Sequence, residues 1–243
     1  MPESPTILDL IRNGTMSAEM AATLWAAVDQ RWSFVVTAVP RLAGKTTHMN
    51  AMLALLPREV PVHRLSGDVE EMARLQRAAT GGYLVVGEFS QAPVPTYIWG
   101  APVRRVFEAL TAGYSLATAL HAPILSDTFN VVCRENGVTD VQASHIRLVL
   151  YIRRFGDSPG AYWRRLTQVH EIERVEGGQP VGRLLHRWVE GEDRFEAVER
   201  PRLLPNPPGD LTERSARMKA LAQAGRTSPE DVTRLVVDFH GHR

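Results

Sequence analysis

Ser33-Phe-Val-Val-Thr-Ala-Val39, Pro40-Arg41-Leu42-Ala43 and Gly44-Lys45-Thr46-Thr47 follow one another directly in the chain. The first run is short, apolar and rich in β-branched residues, and it stops just before a proline, the pattern of a buried parallel strand. A helix is expected from near Lys45 through TTHMNAMLALL. Strand, tight loop and a helix opening on Gly-Lys-Thr is the order a phosphate-binding loop needs. Backbone N–H groups and the helix N-terminus face the anion, the lysine reaches β/γ-phosphates and the threonine hydroxyl ligates Mg²⁺. Arg41, Leu42, Ala43, Gly44, Lys45, Thr46 and Thr47 are therefore the candidate nucleotide-binding residues. One position departs from G-x-x-x-x-G-K-[ST]: Val39 stands where the first glycine belongs, and valine disfavours the positive φ a glycine permits there. The competing reading of the same triplet is an ordinary strand–helix loop whose lysine faces solvent.

Outward from this stretch, strand and helix alternate. Residues 5–31 read as two short helices broken at Asn13-Gly14, with Ser17 as the N-cap of the second. PVHRL (61–65) is a strand, Asp68 to Ala79 a helix, YLVV (83–86) a strand, 101–112 an amphipathic helix and SLATAL (115–120) a strand. Helical turns over 126–145 lead into RLVLYIRRF (147–155). This alternation predicts an α/β fold with a parallel sheet covered by helices. Beyond Gly156, AYWRRLTQVHEIERV and PVGRLLHRWV flank Gly177-Gly178 and predict an antiparallel strand extension. A Pro-rich linker over 200–209 precedes a small C-terminal helical hairpin over 210–243, in which Ser228-Pro229-Glu230-Asp231 opens the second helix. The domain division expected is a helical segment 1–32, a core with its strand extension 33–199, the linker, and the hairpin.

The 243 residues suffice for a full domain and a small appendage. With 44% hydrophobic residues, 23% charged residues and a formal charge of +1, the chain is neither disordered nor globally basic. That disfavours a nucleic-acid partner, although the Arg-rich strands of 147–187 could form a local basic face. No apolar stretch is long enough for a membrane helix and no signal sequence is evident, so a cytoplasmic protein is expected. A single cysteine, Cys133, excludes an intrachain disulfide and a multi-cysteine metal site. Only two lysines, Lys45 and Lys219, occur against 26 arginines, which draws attention to Lys45.

Three further motifs carry possible chemistry. Tyr83-Leu-Val-Val-Gly87-Glu88 is an apolar strand that delivers a carboxylate at its C-terminal end, where α/β sheets bind ligands. Glu88 is thus a candidate to orient a metal. Asp68-x-x-Glu71 places a carboxylate after the strand at 61–65, able to polarise a water or simply to open a helix. Gly113-Tyr-Ser-Leu-Ala-Thr-Ala-Leu-His121-Ala122 ends a strand on a histidine.

Taken in order, GKTT, D-x-x-E, LVVGE and GYSLATALHA resemble the Walker A, Asp-box, Walker B and His-box motifs of the ATPases of type II and type IV secretion systems and type IV pili. Ala112-Gly113-Tyr114 replaces the family's Thr-Gly-His, whereas Thr118, His121 and Ala122 match. The likeness runs over about residues 5–240. It implies a RecA-like P-loop NTPase core with ATP and Mg²⁺ as cofactors. Lys45 would hold the β/γ-phosphates, Thr46 and Glu88 the metal, Glu71 would polarise the attacking water and His121 would sense the γ-phosphate. It further implies a hexameric homo-oligomer whose sites are completed by a neighbour's arginine, with Arg104, Arg105, Arg153 and Arg154 available, working at an inner-membrane platform of a secretion or pilus complex. Three departures go with it: Val39, the 43-residue separation of Lys45 and Glu88, which is short for this family, and the roughly 32 residues before the first strand, which leave no room for the family's large N-terminal domain. Val39 and the contracted middle region also admit a degenerate relative that binds nucleotide weakly and serves as a structural or regulatory subunit.

Overall fold

The computed structural model describes residues 4–39, 42–156, 161–205 and 208–241. In chain order its elements are α1 (Ile7–Arg12), α2 (Ala18–Asp29), β1 (Ser33–Val39), α3 (Lys45–Leu53), β2 (Val62–Arg64), α4 (Val69–Ala78), β3 (Gly82–Val85), β4 (Glu88–Phe89), β5 (Tyr97–Ile98), α5 (Ala101–Leu110) and β6 (Tyr114–Leu120). There follow α6 (Leu125–Phe129), a π-helical turn (Asn130–Glu135), α7 (Asp140–Ala143), β7 (Ile146–Phe155), β8 (Trp163–Glu176), β9 (Gln179–Val189), β10 (Arg194–Ala197), α8 (Pro208–Gln223) and α9 (Pro229–Gly241).

Eight strands form one sheet in the order β10-β9-β8-β7-β1-β6-β3-β2. The five from β7 to β2 run parallel, and β8, β9 and β10 continue the sheet antiparallel from the edge of β7. The fold is therefore α/β with a mostly parallel central sheet and an antiparallel extension. Gly177 and Gly178, both at positive φ (59° and 72°), make the tight turn between β8 and β9 that two left-handed residues allow.

Side chains of alternate strand residues enter two cores. Phe34, Val36 and Ala38 of β1 join Leu148, Leu150 and Ile152 of β7 beneath α1, α2, α3, α8 and α9. Val35, Val149 and Tyr151 join Leu84 and Leu116 beneath α4, α5 and the helical turns 125–143. The N-terminal helices are held by local caps: Thr6 and Asp9 form a reciprocal box on α1, and the Ser17 hydroxyl accepts from the Met20 amide at 3.1 Å.

Several expectations shift in detail. The third strand occupies Gly82–Val85, one residue earlier than 83–86. Helix α8 starts at Pro208, inside the expected linker, because a proline needs no N–H partner in a first helical turn. Three strands had no signal in the sequence: β10, and the two-residue strands β4 and β5, which form a small parallel sheet of their own.

Candidate functional site

Three neighbouring parallel strands, β1, β6 and β3, end at the same edge of the sheet. From β1 the chain turns through the loop to α3, whose first residue is Lys45. From β6 it passes directly to His121, and from β3 through Val86 and Gly87 to Glu88. These strand ends bring the three side chains into contact.

The Lys45 ammonium lies 3.2 Å from Glu88 Oε2 and 2.6 Å from His121 Nε2. Lys45 and Glu88 are 9% and 5% exposed, so the charges are paired where water is largely excluded. An ammonium can only donate, so His121 Nε2 accepts from it. The other ring nitrogen, Nδ1, is 2.9 Å from the Ala38 carbonyl and must donate to it. His121 is therefore the neutral Nδ1–H tautomer in this arrangement, held between the end of β1 and the lysine. Its Nε2 is 3.6 Å from Glu88 Oε1, and both groups converge on the same ammonium.

Two glycines make the approach possible. Gly44, the N-cap of α3, has φ 95°, a left-handed conformation that glycine adopts without strain. At Gly87 an added Cβ would sit 2.4 Å from Thr96 Oγ1 and 2.9 Å from the Thr96 carbonyl, so only hydrogen lets the chain turn there and present Glu88. Val39 is the last residue of β1, and Leu42, exposed, has φ 63°. Arg41 lies outside the described residues. Ala43 is buried, Thr46 is exposed on the first turn of α3, and Thr47 is half-buried.

One turn into α3, His48 is 1% exposed and its Nδ1–H donates to the Gly44 carbonyl at 2.9 Å. Burial, with a smaller contribution from nearby Arg164 opposed by the Gly44 bond, brings its pKa down to about 4, so it is neutral near pH 7.

Glu71 is not drawn into this cluster. Its carboxylate accepts from the Ser66 amide and hydroxyl, each at 3.0 Å, while Asp68 caps α4 by accepting from the Glu70 amide at 2.9 Å. The acidic stretch thus serves the helix start. Tyr114 donates to the Leu75 carbonyl and ties the end of α4 to β6. Among the arginines, Arg104 donates to the Asn136 carbonyl, Arg105 to Glu108 and Arg153 to Glu190, while Arg154 lies over the Tyr162 ring.

Sequence reasoning missed Arg164. From β8 its Nη2 donates to the Leu42 carbonyl at 3.2 Å, and its side chain lies against Gly44. The only signal was the alternation in Trp163-Arg164-Arg165, which sends adjacent arginines to opposite faces. Next to Val39 and Ala122 a cavity of about 410 Å³ opens toward Tyr151, Arg153 and Trp188, within the size range of small-molecule pockets.

No family model matches the chain. It is similar to two proteins of Methanocaldococcus jannaschii, both described only as uncharacterized. One, MJ1287, is 27% identical over 141 residues, which covers 47% of this chain and 48% of that protein. The other, MJ0900, is 23% identical over 222 residues, covering 78% of this chain and 38% of that protein. The chain spans less than half the length of each of these relatives.

Proposed function

We propose that this chain is a P-loop ATPase subunit of the secretion and type IV pilus class, with a RecA-like core that binds Mg-ATP at the start of α3 and hydrolyses it in a ring of like subunits. The observation that carries the reading is the meeting of Lys45, Glu88 and His121 at the ends of β1, β3 and β6. A lysine on the first turn of a helix that follows a glycine with φ 95° supports a phosphate-binding role, and Glu88 is the buried carboxylate paired with it. The strand order also supports the reading, because β6 lies between the strand that leads to the lysine and the strand that leads to the carboxylate.

The residues present suit magnesium, a hard cation that takes oxygen ligands and keeps several waters: the Thr46 hydroxyl is exposed at the helix start and Glu88 offers carboxylate oxygens at the same sheet edge. Magnesium would supply charge neutralisation on the phosphates. The chain's own contributions are Lys45, which exchanges Glu88 and His121 for phosphate oxygens, and His121, whose Nε2 is released when the lysine moves and is then free to report on the terminal phosphate. Glu71 becomes the residue that polarises water only if α4 releases it from Ser66. That engagement favours a second reading, a subunit that binds nucleotide and regulates assembly without rapid turnover. Assembly as a hexamer against a cytoplasmic membrane platform belongs to the same proposal; no helix of the described residues is long and apolar enough to cross a membrane.

The test is Mg-ATP hydrolysis across a protein concentration series, with assembly followed by light scattering, for wild type, Lys45→Ala and Glu88→Gln. Turnover that rises with assembly and is lost in both variants is expected. Binding through Lys45 without turnover would select the regulatory reading, and absence of binding would overturn nucleotide chemistry at this site.

A further inference from the structure

Most arginines of the antiparallel extension are matched to carboxylates: Arg153 with Glu190, Arg165 with Asp193, Arg183 with Glu171 and Glu173, Arg187 with Glu196. Arg164 is an exception. Among the described residues it has no carboxylate partner; its one hydrogen bond goes to the Leu42 carbonyl, and its Nε is out of solvent with none.

Its surroundings are electropositive. Arg164 Cδ and Nε lie 3.2 and 3.4 Å from where a Cβ of Gly44 would be, so the guanidinium stem covers the N-cap of α3. That end of a helix carries partial positive charge, and the next residue is the Lys45 ammonium. Across the β7–β8 pairing Arg164 stands opposite another arginine, Arg154. The buried imidazole nearby, His48, brings no negative charge. Cations are thus gathered at a helix N-terminus, and Glu88 is already engaged by Lys45. Such an arrangement is relieved by an anion placed between them, and a planar guanidinium matches phosphate oxygens in pairs.

We infer that Arg164 is a phosphate-binding residue of this site in the same chain: it leaves the Leu42 carbonyl and donates to the polyphosphate of the nucleotide bound at Lys45. The inference rests on the nucleotide reading and adds to it a cation that no neighbouring subunit need provide. A side chain at position 44 would also crowd the Arg164 stem by a few tenths of an ångström, beyond the strain its φ imposes.

Titration with a fluorescent N-methylanthraniloyl ATP in Mg²⁺, with competition by inorganic tripolyphosphate, tests it in wild type, Lys45→Ala, Arg164→Gln, Arg164→Lys and Arg165→Ala, each checked for unchanged thermal unfolding. Arg164→Gln keeps much of the aliphatic stem and is expected to weaken both ligands about tenfold or more. It should also make affinity less sensitive to salt, because one charge–charge contact fewer remains to be screened. Arg164→Lys should fall between, and Arg165→Ala, whose parent is paired with Asp193, should bind as wild type. Wild-type affinity in Arg164→Gln while Lys45→Ala loses binding overturns the inference and leaves the nucleotide reading intact. Weaker binding with unchanged salt sensitivity assigns Arg164 to holding the loop, and overturns its phosphate role. Failure of wild type to bind either probe overturns both.

Discussion

At Gly87 a single hydrogen atom decides where Glu88 goes. The Gly87 amide donates to the Thr96 carbonyl at 3.0 Å, and a methyl group at this position would overlap both that carbonyl and the Thr96 hydroxyl. Gly87→Ala is expected to cost about 1–3 kcal/mol of stability through forced overpacking. Under the proposed function it should also lower nucleotide affinity by displacing the carboxylate, which chemical denaturation and nucleotide titration read separately. Acid sensitivity is set at the same scale by His48, His170 and His186, whose pKa values burial lowers to about 4. The unfolded chain binds protons at these rings from about pH 6.5 downward and the folded chain does not until about pH 4, so folding stability falls as pH drops through that window. Each ring contributes roughly 1 kcal/mol per pH unit. His186, whose Nε2 is 2.9 Å from the Thr23 hydroxyl, is the one to test: His186→Gln should flatten the loss of stability between pH 6.5 and 5, measured by urea denaturation.

At the scale of elements, β8 organises both sides of the molecule. At one end Arg164 reaches the loop before α3; further along, Glu171, wholly buried, accepts from the amides of Arg202 and Leu203 and pairs with Arg183. One carboxylate therefore fastens the Pro-rich connector to the sheet before the chain enters α8. Glu171→Ala removes the acceptor of two partly buried amides and one of three carboxylates around Arg183, which keeps Glu173 and Glu199, at an expected cost of about 1–3 kcal/mol. Faster limited proteolysis within 200–205 should accompany it; unchanged cleavage and stability would show that the connector is held by other contacts.

For the whole molecule, the first and last helices share one core with the sheet. Phe239 of α9 packs on Trp25 of α2 with ring centroids 4.7 Å apart, and the Arg214 guanidinium of α8 lies over both rings while pairing with Asp29. Phe239 is 2% exposed, so Phe239→Ala should cost about 3–5 kcal/mol. Because that core includes Val36 and Met49, on either side of the loop that leads to Lys45, the loss should appear as one cooperative transition in which tryptophan fluorescence and sheet circular dichroism change together. Separate transitions would mean that α8 and α9 fold apart from the sheet.

The sequence by itself determined the local pieces. SFVVTAV reads as β1, the helix opening at Lys45 as α3, and the positions of Glu88 and His121 at strand ends follow from apolar runs cut by Gly, Pro or a charged residue. Ser17 and Ser228 were legible as helix starts because a cap acts over three residues. Only the tertiary structure decided which strand ends meet. Periodicity reports which face of an element is buried, not which element covers it, and the neighbours β1, β6 and β3 are separated by more than 40 residues at the pairing of β1 with β6. The same limit kept Arg164 hidden among 26 arginines, since charge pairing is fixed by through-space distance. It also left open whether Glu71 faces Lys45 or closes on Ser66. Joining α1 and α2 to α8 and α9 in one core likewise required the fold, because burial of each apolar face is a property of its partner.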